Sequence, residues 1–135
     1  MNIDSIQNGI VIDHITAGKS MRLYSLLDLE KADVSVAIIK NVVSRKMGKK
    51  DIIKIDSTMP VNLDVIGYVD PGATINVIRE GKLIEKRAIA APELLKGVIR
   101  CKNPRCITST EQELPHVFKL RDGIYRCLYC ETKAE

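Results

Sequence analysis

The fold is decided by the stretch Gly9-Ile10-Val11-Ile12-Asp13-His14-Ile15, which opens an alternation of strands and helices. Its apolar, β-branched composition predicts a strand. After it, Ser20 is expected to cap a helix that runs to about Leu29 and buries leucines at helical spacing.

The next segments extend this pattern. We predict strands over 34–43 and 51–57, a short helix that starts at Pro60 and buries Leu63, Val65 and Ile66, and a hairpin over 73–79 and 82–87 around Glu80-Gly81. The order is β-α-β-β-α-β with one added strand. Right-handed crossovers then place two helices on one face of an antiparallel sheet, the ferredoxin-like plan.

Size and composition limit the classes of protein. With 135 residues and a mass of 15.1 kDa, the chain forms one domain or two small ones. Its 45% hydrophobic and 28% charged residues are typical of a globular protein. Aromatic residues, at 4%, are too scarce for a protein that stacks nucleic-acid bases. The first residues lack a basic segment and an apolar segment, so we expect a cytoplasmic protein without a membrane span.

All four cysteines lie in the last third of the chain, at positions 101, 106, 127 and 130. This distribution predicts an N-terminal domain over 1–92 and a small all-β metal domain over 93–135. The latter contains two short strands, 116–120 and 124–126, around the turn Arg121-Asp122-Gly123. A domain this short buries too little apolar surface to fold without added stabilisation from a bound metal. Metal binding is therefore part of its folding free energy.

The cysteine spacing is C-x4-C followed by C-x2-C. Two such turns complete a tetrahedral all-sulfur site, which suits one Zn²⁺. Because no coordination position stays open, the expected zinc is structural. An iron–sulfur site, two disulfides and a redox pair at Cys127 and Cys130 are the alternatives.

Two polar features of the N-terminal domain are candidates for ligand binding. The first is a basic run with two interpretations, a polyanion site or a solvated loop; it comprises Arg45, Lys46, Lys49, Lys50 and Lys54. The second is Asp13-His14, either a polar strand end or a ligand contact. Alternation along the strand puts Lys50 and Lys54 on one face. Nothing resembles a nucleophile–base pair or a P-loop, which favours binding without catalysis.

Four motifs in this order resemble one known family, the regulatory chain of aspartate carbamoyltransferase. They are Val11-Ile12-Asp13-His14-Ile15, Met47-Gly48-Lys49-Lys50-Asp51-Ile52-Ile53-Lys54-Ile55, Pro71-Gly72-Ala73-Thr74-Ile75-Asn76, and the two cysteine pairs. The resemblance covers nearly the whole chain. It implies a non-catalytic, allosteric subunit of pyrimidine biosynthesis whose N-terminal domain binds CTP, ATP or UTP. It also implies that two regulatory chains pair and that the zinc domain docks on the catalytic chain.

The resemblance also assigns residues to the nucleotide site. Lys54 and Lys86 are expected to contact ribose and phosphates, and Lys50 to affect the nucleotide response. Backbone groups near Ile6 and the turn 81–83 are expected to read the base. The remaining expected contacts are Val11, Asp13, His14, Thr74 and Asn76. The expected zinc ligands are Cys101, Cys106, Cys127 and Cys130.

A zinc-ribbon protein that binds nucleic acid is the alternative function, prompted by Arg100, Lys102 and Arg105 around the first cysteine pair. Seven basic and five acidic residues between 98 and 135 make this segment only weakly cationic. A stand-alone enzyme or redox protein lacks a catalytic constellation.

Overall fold

The structure is a computed structural model that describes residues 6–134. The chain divides after Ala91 into two compact units. The elements of the first unit are β1 (Gly9–Thr16), α1 (Ser20–Leu26), β2 (Ser35–Ser44), β3 (Gly48–Asp56), α2 (Leu63–Val69), β4 (Thr74–Arg79) and β5 (Lys82–Ala88). Those of the second unit are β6 (Leu94–Lys96), α3 (Ile107–Thr110), β7 (Val117–Arg121) and β8 (Ile124–Cys127).

The first unit contains one five-stranded sheet in the order β2-β3-β1-β4-β5. Every neighbouring pair is antiparallel. This is the ferredoxin-like order with β5 added beyond β4, as the sequence predicts. The central strand β1 contributes Ile10, Ile12 and Ile15 to the core.

Helices α1 and α2 contact each other, and α1 also contacts β3. The buried apolar side chains of these two helices are Leu23, Val65, Ile66 and Val69. On β3 the buried residues are Asp51, Ile53 and Ile55, while the residues between them are only half-buried. One side of the sheet therefore faces the helices, and the alternate residues of β3 and β1 form an open face.

The element boundaries differ from the sequence predictions in four main places. Helix α1 ends at Leu26, three residues before the predicted end near Leu29. Ser20 is the first residue of α1 rather than its cap, because its hydroxyl donates to the buried Asp51 carboxylate at 2.6 Å. Helix α2 begins at Leu63 with Asn62 as its cap, three residues after Pro60, and Leu63 is only half-buried. Strand β3 begins at Gly48, so Lys49 and Lys50 belong to the sheet.

Two bulges flank β3. On β1, the register with β3 shifts between Ile12 and Ile15, and His14 adopts a φ of 57°. On β2, the shift lies between Ile39 and Val42, and Asn41 has a φ of 59°. Each bulge adds one residue to the strand that pairs with β3, which bends that strand and redirects its side chains.

The second unit is a three-stranded antiparallel sheet in the order β6-β7-β8. Its small apolar core contains Leu95, Val117, Phe118 and Tyr125. Both predicted strands are present, and β6 and the single-turn helix α3 are additions. Among the described residues, no helix has the length and apolar character needed to span a membrane.

Candidate ligand-binding face and metal centre

A row of four side chains crosses the open face of the first unit. Val11 of β1 pairs with Lys54 of β3 on one side and with Asn76 of β4 on the other. Asn76 in turn pairs with Lys86 of β5. Directly paired residues of an antiparallel sheet project to the same face. Strands lie about 4.8 Å apart, so the two lysine backbones at the ends of the row are separated by about 14 Å.

A second polar group lies beside this row, at the bulge of β1. Lys50 Nζ is 2.9 Å from Asp13 Oδ1, and both side chains are largely buried. His14 Nδ1 is in hydrogen-bond contact with Thr74 Oγ1 at 3.0 Å. The backbone amide of His14 donates to Asp13 Oδ1 at 2.6 Å. The bulge thus presents an acid, an imidazole and a hydroxyl next to the lysine row.

Asp13 is held as an anion. Burial raises the pKa of its carboxyl, but the hydrogen bonds from Lys50 and the His14 amide, with the charges of both residues, outweigh burial. The net result is a pKa below the ordinary value of 3.8. A permanent carboxylate can accept hydrogen bonds from ligand hydroxyl groups while Lys50 balances its charge.

Asn76 has an unsatisfied polar atom. Its Oδ1 is buried and has no hydrogen-bond partner among residues 6–134. A buried carbonyl oxygen without a partner costs about 1–3 kcal/mol, and such groups are uncommon in native proteins. A donor supplied by a bound molecule would satisfy this oxygen, which lies between Val11 and Lys86 in the row.

The start of the described chain is tied to the β4–β5 turn. Gly81 N donates to Gln7 O at 2.9 Å, and Glu80 N donates to Asn8 Oδ1 at 3.2 Å. Ile6 is buried and packs close to Gly9, where an added Cβ would meet Ile6 Cγ2 at 2.7 Å and Ile55 O at 2.2 Å. The structure thus brings Ile6 and the turn together at one end of β1. All nine residues expected at the nucleotide site lie on, or border, this face.

The second unit gathers the four cysteines around one point. Their sulfur atoms all lie within 4.8 Å of one another. Cys101 Sγ is 3.5 Å from Cys130 Sγ, and Cys106 Sγ is 3.7 Å from Cys127 Sγ. A tetrahedral zinc with bonds of about 2.3 Å separates its sulfurs by about 3.8 Å. The cluster therefore fits one zinc ion, and all four cysteines are free rather than disulfide-bonded.

The surroundings of the sulfurs shift the pKa values of three thiols in two directions. Burial raises the pKa of the Cys101 thiol to about 12 and also raises the pKa of Cys127. The hydroxyl of Thr132, 3.1 Å from Cys130 Sγ, lowers the pKa of that thiol to about 6. Ionising several neighbouring thiols is unfavourable because the thiolates repel one another. A divalent ion overcomes this repulsion and deprotonates the thiols that coordinate it. A bound zinc would join the turn that carries Cys101 and Cys106 to the turn that carries Cys127 and Cys130.

Several supporting residues escape sequence reasoning. Cys101 N donates to His116 Nδ1 at 3.0 Å, which fixes the first cysteine turn. Thr108 Oγ1 lies 3.1 Å from Cys106 Sγ, as Thr132 does from Cys130. In the first unit, Asp51 and Asp70 are buried carboxylates that hold the β1–α1 turn. Among these supporting residues, only Asp51 has a signal in the sequence, because it is an acidic residue between Lys50 and Lys54 of the basic run.

Comparisons with known proteins agree with this architecture. A family model described as "Aspartate carbamoyltransferase regulatory chain, allosteric domain" matches residues 1–90. A second, described as "Aspartate carbamoyltransferase regulatory chain, metal binding domain", matches residues 93–135. Together they cover nearly the whole chain.

Curated relatives agree with both models. An aspartate carbamoyltransferase regulatory chain from Clostridium botulinum is 49% identical over 134 residues, covering 97% of this chain and 92% of the relative. The corresponding Clostridium tetani chain is 47% identical over 135 residues, covering 97% and 94%. That of Bifidobacterium longum is 43% identical over 138 residues, covering 100% and 99%. With its sheet, its four-cysteine cluster and these matches along its length, the chain belongs to the family of aspartate carbamoyltransferase regulatory chains.

Proposed function

We propose that the open face of the first unit binds a nucleoside triphosphate, and that the zinc unit conveys the effect to an aspartate carbamoyltransferase catalytic chain. The observation that carries this proposal is the row Lys54–Val11–Asn76–Lys86. Between its two cationic ends, a buried amide oxygen has no partner in the part of the chain that the structure describes. The chain would act in the cytoplasm, in pyrimidine biosynthesis, as a regulatory subunit.

The chemistry of each group suits one part of a nucleotide. Lysine ammonium groups act as compact charges that attract phosphates. The ionised carboxylate of Asp13 accepts hydrogen bonds from ribose hydroxyls. Val11 supplies an apolar wall, and the backbone between Ile6 and the turn 81–83 offers donors and acceptors to the base edge. CTP, ATP and UTP share the phosphate and ribose contacts, so the base contacts decide among them.

The allosteric effect requires two states of the assembled enzyme. A nucleotide shifts the catalytic chain only if its affinity for the regulatory chain differs between those states. A coupling free energy of about 1–3 kcal/mol would be typical. The family match assigns metal binding to the second unit, and we propose that this unit carries the surface that meets the catalytic chain.

The assay of this function uses the zinc-loaded chain co-purified with its catalytic chain. We expect the aspartate saturation curve to shift when CTP or ATP is added, and no turnover of carbamoyl phosphate by the regulatory chain alone. A stable complex whose aspartate saturation curve does not shift with CTP, ATP or UTP would show that this chain has a structural role without nucleotide regulation. Failure to form a complex would remove the proposed partner.

We also propose that two copies of this chain pair along β2. Within the described range 6–134, this strand is hydrogen-bonded to β3 alone, and Val43 near its end is 83% exposed. A groove of about 430 Å³ lies beside it. Its lining side chains are mostly apolar but include the charged Glu30: Met21, Tyr24, Leu29, Glu30, Ala32, Val34, Val36 and Ile38. An open edge strand beside apolar surface is a template for another strand.

Placing a charge in this groove should separate the two copies. Met21 is 49% exposed, and Met21→Glu is expected to give monomers in sedimentation velocity because a carboxylate would be buried at the interface. Ile84→Glu is the matched control, since Ile84 is 60% exposed on the opposite edge strand β5. Dissociation by Ile84→Glu alone would move the interface to β5.

A further inference from the structure

We propose that Asp51 is a positioning residue for the nucleotide-binding face, acting from the opposite side of β3. Its side chain is fully buried, and it lies next to Lys50 in the sequence. It contributes no atom to the open face. The inference deepens the proposed function and rests on it, because it concerns how the ligand-binding side chains are held in place.

The Asp51 carboxylate accepts four hydrogen bonds. Oδ2 accepts from Gly18 N at 3.1 Å, from Ser20 N at 3.4 Å and from Ser20 Oγ at 2.6 Å. Oδ1 accepts from Asn41 N at 3.0 Å. One side chain of β3 therefore joins the turn that follows β1 to the edge strand β2.

Both bulges that flank β3 lie beside Asp51 in the strand register, and the β2 bulge is bonded to its carboxylate. The β2 bulge lies directly opposite Asp51, and the Asn41 amide, which that bulge removes from the regular ladder, donates to Asp51 instead. On the other side Ile15 pairs with Asp51 immediately after the β1 bulge. The β1 bulge contains Asp13 and His14. The pairing of Ile15 with Asp51, and the bonds from the carboxylate to Gly18 and Ser20, fix the chain just after the segment that presents them.

The same bonds specify which residues of β3 face the ligand. A slip of one residue in a strand exchanges its two faces. With Asp51 held inward, Lys50 and Lys54 project to the open face, and Lys50 reaches Asp13 at 2.9 Å. An apolar residue at position 51 would supply no such bonds and would leave the Asn41 amide without its acceptor.

The charge state of Asp51 agrees with this role. Burial raises the pKa of the carboxyl, but hydrogen bonds from Ser20, Asn41 and Gly18 outweigh it and leave the pKa below 3.8. The group is therefore an anion near neutral pH, with acceptor capacity on both oxygens. An amide at this position replaces one acceptor by a donor that would face backbone N–H groups.

Asp70 provides a matched comparison. It is also a buried carboxylate, 5% exposed, and it holds the same β1–α1 turn by accepting from Thr16 N at 2.6 Å. Its other oxygen accepts from Gly72 N at 3.0 Å. The hydrogen bonds of its carboxylate reach neither β2 nor β3. Thr16 is the register partner of Lys50, but no hydrogen bond of the Asp70 carboxylate reaches β3 itself. Loss of Asp70 should therefore loosen the turn while the bonds of Asp51 keep Lys50 on the open face.

The test measures CTP and ATP affinity by calorimetry on the full zinc-loaded chain, well below its melting temperature. We expect Asp51→Asn to weaken triphosphate binding about tenfold or more, since small misplacements of binding groups have large effects. Asp70→Asn should stay within about twofold of the unaltered chain while also lowering Tm. Ser20→Ala, which keeps the carboxylate and removes one of its bonds, should fall between the two.

The salt dependence of triphosphate affinity separates positioning from stability. If Asp51→Asn withdraws Lys50 from the ligand, affinity should fall less steeply with ionic strength than in the unaltered chain, because one cationic contact is gone. A Tm loss in both aspartate variants with equal affinities would overturn the positioning role. Equal losses of affinity in the two aspartate variants would also overturn it. If Asp51→Asn does not fold, a Ser20→Ala chain with unchanged triphosphate affinity would overturn it instead. If the unaltered chain binds neither CTP nor ATP, the proposed function itself is wrong.

Discussion

Cys127→Ala is expected to unfold the unit from Pro92 to Glu135 and to abolish its retention of zinc. The unit has a small apolar core. Its four sulfurs lie on two turns, and none of the four cysteines forms a disulfide. Structural zinc contributes about 10–16 kcal/mol to the folding of such domains, so losing one thiolate from the site removes most of their stability.

Zinc content and hydrogen–deuterium exchange of the full chain test this expectation. Peptides from 93–134 should exchange rapidly in Cys127→Ala, while peptides from 9–88 serve as an internal reference and stay protected. Leu128→Ala is the control variant, because Leu128 is the next residue, is half exposed and offers no ligand atom. A Cys127→Ala chain that keeps its protection and still assembles with the catalytic chain would contradict a structural metal.

The second large effect concerns the two ends of the lysine row. Replacing Lys54 and Lys86 together by alanine is expected to weaken CTP binding by about a hundredfold or more. Hydrogen bonds to charged groups contribute about 1.5–3 kcal/mol each, and each 1.4 kcal/mol is about tenfold in affinity. Binding of cytidine, which lacks phosphates, should change by only about twofold.

A charge-matched variant distinguishes position from net charge. Lys49→Ala removes a cation next to Lys50, but Lys49 is exposed at the end of β3 and alternates to the other side of the strand. Its CTP affinity should stay close to that of the unaltered chain. If the double variant lost cytidine and CTP affinity by the same factor, the two lysines would not meet the phosphates.

The sequence predicts a large part of this architecture for identifiable reasons. Strand periodicity places Lys50, Ile52 and Lys54 on one face, and the structure agrees because the intervening Asp51, Ile53 and Ile55 are buried. The crossover rules are sufficient for the strand order. The cysteine spacing is sufficient for the sulfur cluster, since each pair lies on one short turn.

Other features depend on contacts that a one-dimensional pattern does not contain. The bulge at His14 interrupts the alternation of β1. Histidine adopts the left-handed region more often than most residues, but that preference alone does not locate a bulge or predict the φ of 57°. Ser20 resembles a helix cap, but Asp51, 31 residues away in sequence, takes its hydroxyl. Strand β6 and helix α3 have three and four residues, too few for any periodicity to show.

The lysine row has a thermodynamic consequence. Its four members come from four strands that are distant in the sequence, at positions 11, 54, 76 and 86. No single strand or hairpin contains the row, so an unfolded or partly frayed sheet has no site to offer. A ligand bound there would require the intact sheet of the first unit, and at a hundred times its Kd it would add about 2.7 kcal/mol to the free energy of unfolding of that unit. Occupancy by a metabolite would thus set not only the regulatory state of the chain but also its lifetime against local opening and proteolysis.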